Sequence, residues 1–280
     1  MQSIYIILLG SLVACSCALL GCFLLLRKMS MVGDAISHAV LPGIVVAYLF
    51  TGSKAQLPIL VGASLTGLLT TFLIEFLNKK IRLQEDAAIG IVFTWLFALG
   101  VILISVFAGK IDLDQDCVLY GEIAYVGLTG LDFPPEIWVM GAVFVAVLLF
   151  VKIGYRQLYI TTFDADYAAS IGIATGLWHY LLMGFVSLTT VAAFDSVGSI
   201  LVVSFLVIPA ATAYLITDKF PIMLLLACLV GMVGAALGYF ASVYLDSSIA
   251  ACMSTVCGIE FILAFGYNFV RKRGLKKNSI

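Results

Sequence analysis

The chain has 280 residues, of which 63% are hydrophobic and only 11% are charged, with a net charge of −1 and a mean hydropathy of +1.16. Soluble domains are about 45–50% apolar and about 25% charged, so this composition excludes a water-soluble domain with a polar shell. We therefore predict an all-α integral membrane protein, in which residues 1–280 form a single polytopic helical bundle.

Nine stretches of the sequence are long and apolar enough to cross a membrane, since a helix needs about 20 apolar residues to span the hydrocarbon core. The second stretch is the least regular, because it contains the polar segment GDAISH. The sixth and seventh stretches are separated by very few residues, which leaves their packing open. The predicted spans are residues 4–26, 31–51, 57–77, 87–108, 136–153, 177–194, 197–216, 221–243 and 248–270.

The basic residues predict the orientation of these spans, because cytoplasmic connections are rich in Lys and Arg. With the N-terminus outside, 13 of the 15 basic residues fall in cytoplasmic connections, and Lys54 and Lys110 fall outside. A shift of the pattern by one span would invert this bias. We therefore predict a multi-pass chain with an outer N-terminus, a cytoplasmic C-terminus and a basic cytoplasmic tail at residues 271–280.

Residues 109–135 form a long outer connection that carries five carboxylates and a single lysine. Two interpretations of this acidic connection are open. It is either a solvated loop or a mouth that attracts cations or docks a partner.

Residues 154–176 form a long inner connection whose pattern predicts a loop, a short helix and a second loop. Thr162 or Asp164 can cap this helix through Ala168, and Gly172 can end it. A short helix on the cytoplasmic face is a natural docking surface for another protein. The alternative is an ordinary interfacial connection.

Small residues recur within the third and eighth spans and predict close packing of helices in lipid. Pro209 lies in the middle of the seventh span, where it predicts a kink or a break near Ile208. A broken helix can line a cavity in a membrane protein. The small residues are Gly62, Ala63, Ser64 and Gly67 in the third span, and Gly231, Gly234, Ala235 and Gly238 in the eighth.

The segment from Arg27 to Ala39 carries the strongest candidate site, because it places Asp34 and His38 four residues apart in an apolar region. On a helix such a pair projects from one face. A carboxylate and an imidazole on one face can bind the same manganese, zinc or ferrous ion. These two ligands do not discriminate among the three metals. The alternative is a hydrogen-bonded pair between helices.

Two further ionisable groups lie in or beside predicted spans, where a charge costs about 2.5–3.5 kcal/mol on the insertion scale. Glu260 lies near the middle of the last span, and it is either a further group in a transport path or the partner of a hydroxyl on a neighbouring helix. His179 follows Trp178 at the inner interface, where an amphipathic ring is ordinary.

The sequence lacks the motifs of several enzyme classes. There is no GxxxxGK[ST], so the chain does not hydrolyse ATP through a P-loop. There is no HExxH, which disfavours a zinc protease. Ser37 and His38 are adjacent, so a helix points them in different directions and a Ser-His-Asp site is disfavoured. We therefore expect a transport protein and no enzyme.

Several stretches together resemble the membrane permease subunit of the manganese/zinc/iron-type ABC importer family. Each stretch alone is modest, but the combination is highly specific and spans most of the chain in the family's order. The stretches are RKMSMVGDAISHAVLPG at 27–43, EDAAIGIVFTWLFALGVILIS at 85–105, DLDQDCVLYGEI at 112–123, FDADYAASIGI at 163–173 and SVGSILVVSFLVIPAATA at 196–213.

The resemblance implies a permease with a cobalamin-importer-like fold in the bacterial cytoplasmic (inner) membrane. It implies a second permease subunit, identical or related, cytoplasmic ATP-binding subunits, and an extracytoplasmic protein that delivers the metal. It also implies that Asp34 and His38 line the path, whereas Glu260 is not part of the family pattern. The segment that docks the ATPase would correspond to Phe163, Asp164, Ala168 and Gly172.

The sequence therefore favours the permease of an ATP-driven importer for manganese, zinc or iron, with no tightly bound cofactor and no nucleic-acid partner. The alternative is a stand-alone transporter driven by protons through Asp34, His38 and Glu260, which would need no ATPase. An intramembrane hydrolase is a third class, which the missing catalytic motifs disfavour. The metal itself is not determined by these motifs.

Overall fold

The computed structural model describes residues 2–52, 56–107, 123 and 134–277, and these residues are almost entirely helical. We number the helices in chain order. They are α1 (Gln2–Leu26), α2 (Val32–Ala39), α3 (Leu41–Thr51), α4 (Gln56–Ile81), α5 (Glu85–Phe107), α6 (Pro135–Phe163), α7 (Ala165–Ser170), α8 (Thr175–Val197), α9 (Ser199–Ile216), α10 (Phe220–Leu245) and α11 (Ile249–Lys277).

The described residues contain nine helical segments that are long and apolar enough to cross a membrane, as the sequence predicts. The second segment consists of α2 and α3, which meet at Val40. Pro42 explains the break, because it has no backbone N–H to donate to the carbonyl of His38, four residues before it. The helix that carries the candidate site is therefore short and ends beside the site.

Helix α1 is the centre of the larger of two packed groups. Every residue from Val13 to Leu24 is buried, and the apolar residues occupy all sides of the helix. A helix that is apolar all round can be enclosed by other helices. Helices α6, α8, α9 and α10 pack around α1, and α11 packs against α9 and α10.

Helices α2 to α5 form a second, smaller group that packs on α8. Ala35 and Ala39 of α2 share a small apolar core with Ala88, Val92 and Leu96 of α5. Because the alanine side chains are short, α2 can lie close to α5. This contact places the polar face of α2 beside α5.

The small residues of the third and eighth spans lie at helix contacts, as predicted. A Cβ on Gly62 in α4 would lie 2.7 Å from the Cβ of Ala47 in α3. Near Gly67, the hydroxyl of Ser187 in α8 donates to the carbonyl of Ser64 at 3.0 Å. A Cβ on Gly231 in α10 would lie 3.0 Å from the Cβ of Ala14 in α1.

One prediction about a helix boundary is wrong. Residues 154–163 form no loop, because α6 continues through them to Phe163. Of the two outcomes predicted at Pro209, a kink or a break, the break is not found, since α9 passes through Pro209 to Ile216. The hydroxyl of Thr212 donates to the carbonyl of Ile208 at 2.8 Å, a local bond of the kind that often bends helices. The predicted acidic connection at 109–135 lies outside the described residues, except for Ile123 and its last two positions.

Candidate functional site

Asp34 and His38 lie on one face of α2, in its first and last turns. The Nε2 atom of His38 is 3.7 Å from the Oδ1 atom of Asp34. The Asp34 side chain is 46% exposed and that of His38 is 29% exposed, so both groups can be reached from outside the chain. At this distance the two atoms are too far apart for a good hydrogen bond, which needs about 2.7–3.2 Å.

Aromatic side chains of α5 hold the His38 imidazole. The ring centroid of Phe93 is 5.3 Å from that of His38, and the ring centroid of Phe97 is 6.4 Å away at a nearly perpendicular angle. These contacts restrict the imidazole while leaving its Nε2 atom directed toward Asp34. Next to His38 along α2, the buried Ser37 hydroxyl donates to the carbonyl of Gly33 at 3.0 Å.

This arrangement can supply two ligands to a divalent transition metal. Metal–nitrogen and metal–oxygen bonds of about 2.1 Å span at most about 4.2 Å, and a tetrahedral angle gives about 3.4 Å, so a separation of 3.7 Å needs only a small closure. Among the described residues, no third His, Cys, Asp or Glu joins the pair.

The structure places Glu260 in a different part of the bundle. Its helix α11 packs mainly against α9 and α10, whereas α2 packs mainly against α4, α5 and α8. The Oε2 atom of Glu260 is buried and has no hydrogen-bond partner within the described part of the chain. A Cβ on Gly234 of α10 would lie 3.3 Å from this oxygen. The hydroxyl partner that the sequence left open is therefore not found for this atom.

The segment around α7 folds as its sequence predicts. Asp164 is the N-cap, and its Oδ1 atom accepts a hydrogen bond of 2.8 Å from the backbone N–H of Tyr167. Gly172 ends the turn in a left-handed conformation with φ of +84°, which glycine adopts without strain. Phe163 is exposed, whereas Ala168 is fully buried.

A cavity of about 550 Å³ lies at the same end of the bundle, between the α1–α2 connection, α4, the end of α6 and the start of α8. Arg27 lines it and donates hydrogen bonds of 3.0 Å to the hydroxyls of Thr161 and Thr162. Burial lowers the pKa of Arg27 to about 10, so the guanidinium stays protonated at neutral pH.

Two residues that line the same cavity form a pair that the sequence does not predict. The Nε2 atom of His179 in α8 is 3.8 Å from the Oε2 atom of Glu75 in α4. The sequence predicts an ordinary interfacial ring for His179 and gives no role to Glu75. A carboxylate inside the apolar run of the third span was the signal that could have found it.

The fold and the site together define a class of protein. Nine apolar helical segments in the described residues make the chain an integral membrane protein. The reachable carboxylate–imidazole pair lies on a short interrupted helix, and irregular backbone of this kind lines cavities in membrane transporters. The chain is a polytopic membrane transport protein.

The chain belongs to the ABC 3 transport family, which it matches over residues 3–268. It is therefore the membrane subunit of an ATP-binding-cassette transporter, in which partner subunits hydrolyse ATP. This finding confirms the family predicted from the sequence motifs and favours the ATP-driven transporter over the stand-alone proton-driven one.

Curated relatives and a solved structure agree with this assignment. The chain is 46% identical to the manganese transport system membrane protein MntD of Bacillus subtilis, covering 93% of this chain and 90% of the relative. It is 39% identical to the zinc transport system membrane protein TroD of Treponema pallidum, covering 98% and 76%. The structure of PsaBC from Streptococcus pneumoniae in complex with a Fab matches with a TM-score of 0.79 and 33% identity, covering 93% of this chain and 90% of that chain.

Proposed function

We propose that this chain is the permease subunit of an ATP-driven importer for a divalent transition metal, and that Asp34 and His38 bind the metal in transit. The observation that carries the proposal is the reachable pair of a carboxylate and an imidazole 3.7 Å apart on α2. Relatives named for manganese and zinc support this substrate class. Manganese, zinc and ferrous iron all accept such ligands.

The two-ligand site needs a second permease subunit. Two protein ligands leave at least two coordination positions of a transition metal unfilled. A second permease that faces the first with its own carboxylate and imidazole would complete a four-ligand site. Such a site forms and opens with the interface, so it can hold the metal transiently and release it.

The segment around α7 is the proposed docking surface for the cytoplasmic ATP-binding subunit. Phe163 offers an exposed aromatic side chain, and Tyr167 and Ile171 are also exposed beside it. Asp164 caps α7, Gly172 ends it and the buried Ala168 seats it on the bundle, so these three residues shape the surface rather than extend from it.

The remaining partners and the orientation follow from the same proposal. The α7 end faces the cytoplasm, the N-terminus lies outside, and the basic C-terminal segment is cytoplasmic, as the distribution of Lys and Arg predicts. The chain resides in the bacterial inner membrane. An extracytoplasmic metal-binding protein delivers the ion to the opposite face, and no cofactor stays bound.

Uptake of radiolabelled Mn²⁺ and Zn²⁺ tests this function in cells that lack their own importers. The chain is expressed with and without its ATPase and binding-protein partners. We expect uptake only with the full set, and its loss in Asp34→Ala and in His38→Ala. The matched control is Ser37→Ala, which lies on the same helix and loses a hydrogen bond internal to it. This variant should retain most of the uptake.

Normal uptake by both site variants, at expression equal to that of the unmodified chain, would refute the site. Uptake by the chain alone would refute the dependence on an ATPase. Glu260 stays a candidate for a further path group, and Glu260→Gln in the same assay tests it. Loss of uptake in Glu260→Gln, with normal assembly, would assign it to the path.

A further inference from the structure

The cavity between the α1–α2 connection, α4, α6 and α8 is lined by more basic than acidic side chains. Arg27, Lys28 and Lys79 are the basic residues of its wall, and they are opposed by two carboxylates, Glu75 and Glu85. The lining is therefore net positive, whether its histidine is protonated or neutral. A concave surface of this charge, with a volume of about 550 Å³, attracts anions and repels cations.

One of the two carboxylates is already compensated within the protein. One oxygen of Glu75 pairs with the ammonium group of Lys79, and the other oxygen lies 3.8 Å from the Nε2 atom of His179. The hydroxyl of Tyr180 also donates to this carboxylate. The two remaining basic residues of the described wall face a single carboxylate, so one positive charge stays unbalanced.

Arg27 is held in place by the wall and keeps donors for a ligand. Its Nε and Nη2 atoms donate hydrogen bonds of 3.0 Å to the hydroxyls of Thr162 and Thr161. These two bonds fix the plane of the guanidinium but do not use its Nη1 group, which can donate to a phosphate oxygen. The neighbouring Lys28 is exposed, so its ammonium group can reach the same anion.

The cavity lies at the level where four membrane spans begin or end. Its lining includes Leu26 at the end of α1, Lys79 near the end of α4, Glu85 at the start of α5 and Thr175 at the start of α8. The first backbone N–H groups of α8 have no side-chain cap and add donors to this wall. The ends of spans lie in the headgroup region of the bilayer, so the cavity opens where lipid phosphates are concentrated.

Apolar side chains on the same wall favour a lipid over a free ion. Leu26, Met29 and Ile74 line the cavity beside its basic groups. A hydrated inorganic phosphate gains nothing from these side chains, whereas the glycerol and first methylene groups of a phospholipid can pack on them. Basic pockets between transmembrane helices at the cytoplasmic face are typical sites for anionic headgroups.

We propose that this cavity binds the phosphate headgroup of an anionic phospholipid from the inner leaflet, with Arg27 and Lys28 as its main partners. The inference rests on the orientation proposed above, which places the α7 end of the bundle in the cytoplasm. The bound headgroup joins α4, α6 and α8 to the α1–α2 connection. That connection leads into the helix that carries Asp34 and His38, so the lipid braces the base of this helix.

Native mass spectrometry of the purified, delipidated full-length chain measures the dissociation constant of each lipid. The probes are phosphatidylglycerol, which is anionic, and phosphatidylcholine, whose headgroup has a phosphate but no net charge. We expect tighter binding of phosphatidylglycerol. Lys28→Gln changes an exposed residue and should weaken this binding about fivefold. The matched control is Lys219→Gln, which removes the same charge just before α10, outside the cavity, and should keep the affinity.

Glu85→Gln tests the sign of the charge that the cavity prefers. This variant removes a carboxylate that opposes the headgroup, so it should tighten the binding of phosphatidylglycerol, whereas a cation site would be weakened. Arg27→Gln should weaken the binding as well. It also loses two hydrogen bonds to α6, so the exposed Lys28 gives the cleaner measurement.

Equal dissociation constants for the two lipids overturn the proposal. Unchanged binding of phosphatidylglycerol in Lys28→Gln and Glu85→Gln, in protein that keeps its Tm, overturns it as well. Inorganic phosphate that displaces the lipid at a comparable concentration would assign the cavity to a free anion instead. None of these outcomes depends on transport, which the uptake of Asp34→Ala and His38→Ala tests separately. Normal uptake in those two variants would refute the metal pair and leave the lipid measurement intact.

Discussion

The close contact between α3 and α4 supports the helix pair that carries the candidate site, and a single methyl group added to Gly62 tests it. A Cβ at this position would lie 2.7 Å from the Cβ of Ala47 and 2.8 Å from the carbonyl oxygen of Gly43. Carbon atoms pack at about 3.5–4.0 Å, so Gly62→Ala forces the two helices apart by about 0.8 Å. Neither neighbour can turn away, because one is a Cβ and the other is backbone.

We expect Gly62→Ala to cost about 2 kcal/mol, within the range of about 1–3 kcal/mol for overpacked cores. For a chain of this size the cost corresponds to a decrease in Tm of about 4–8 °C. Metal uptake should also fall, since α3 continues directly from α2 and its displacement moves His38. Thermal unfolding of the purified protein in detergent measures the first effect, and the uptake assay measures the second.

The matched control is Gly141→Ala in α6, where an added Cβ meets no atom within 4 Å. This variant should keep or raise Tm, because alanine favours a helix over glycine by about 1 kcal/mol. Ala47→Gly, added to Gly62→Ala, removes the 2.7 Å contact and should recover part of the loss. A Tm for Gly62→Ala equal to that of Gly141→Ala would refute the close approach of α3 and α4.

Three further variants test the supports of the proposed sites. Asp164→Ala removes the hydrogen bond that caps α7 at the backbone N–H of Tyr167. It should destabilise α7 by about 1 kcal/mol and weaken co-purification with the ATPase, whereas Asp164→Asn should retain the cap and the co-purification. Arg27→Lys should lower Tm, because lysine cannot reproduce the two hydrogen bonds that the guanidinium donates to Thr161 and Thr162 of α6. An unchanged Tm would contradict a stabilising role of these two bonds. Phe93→Ala removes a ring that contacts His38 and should raise the Mn²⁺ concentration needed for half-maximal uptake. The same half-maximal concentration in the variant and the unmodified chain would refute this role of Phe93.

The sequence alone determined the class of the chain, the nine apolar segments and the first candidate site. These features are local or additive: hydropathy is summed along the chain, and the spacing of Asp34 and His38 places them on one helical face before any tertiary contact forms. The cap at Asp164 and the end at Gly172 are likewise set by neighbouring residues. The positions of these residues on their helices could therefore be predicted correctly, and metal binding by Asp34 and His38 stays a prediction.

The tertiary structure decided what depends on contacts between distant segments. No spacing rule pairs Glu75 with His179, since α4 and α8 are separated by more than 90 residues in the chain and meet through packing. Packing also separated Glu260 from the helices around α2. Pro209 left a kink and a break open, and the folded chain keeps α9 continuous through it. Local sequence sets which groups are costly in a membrane, but only the fold decides which of them meet.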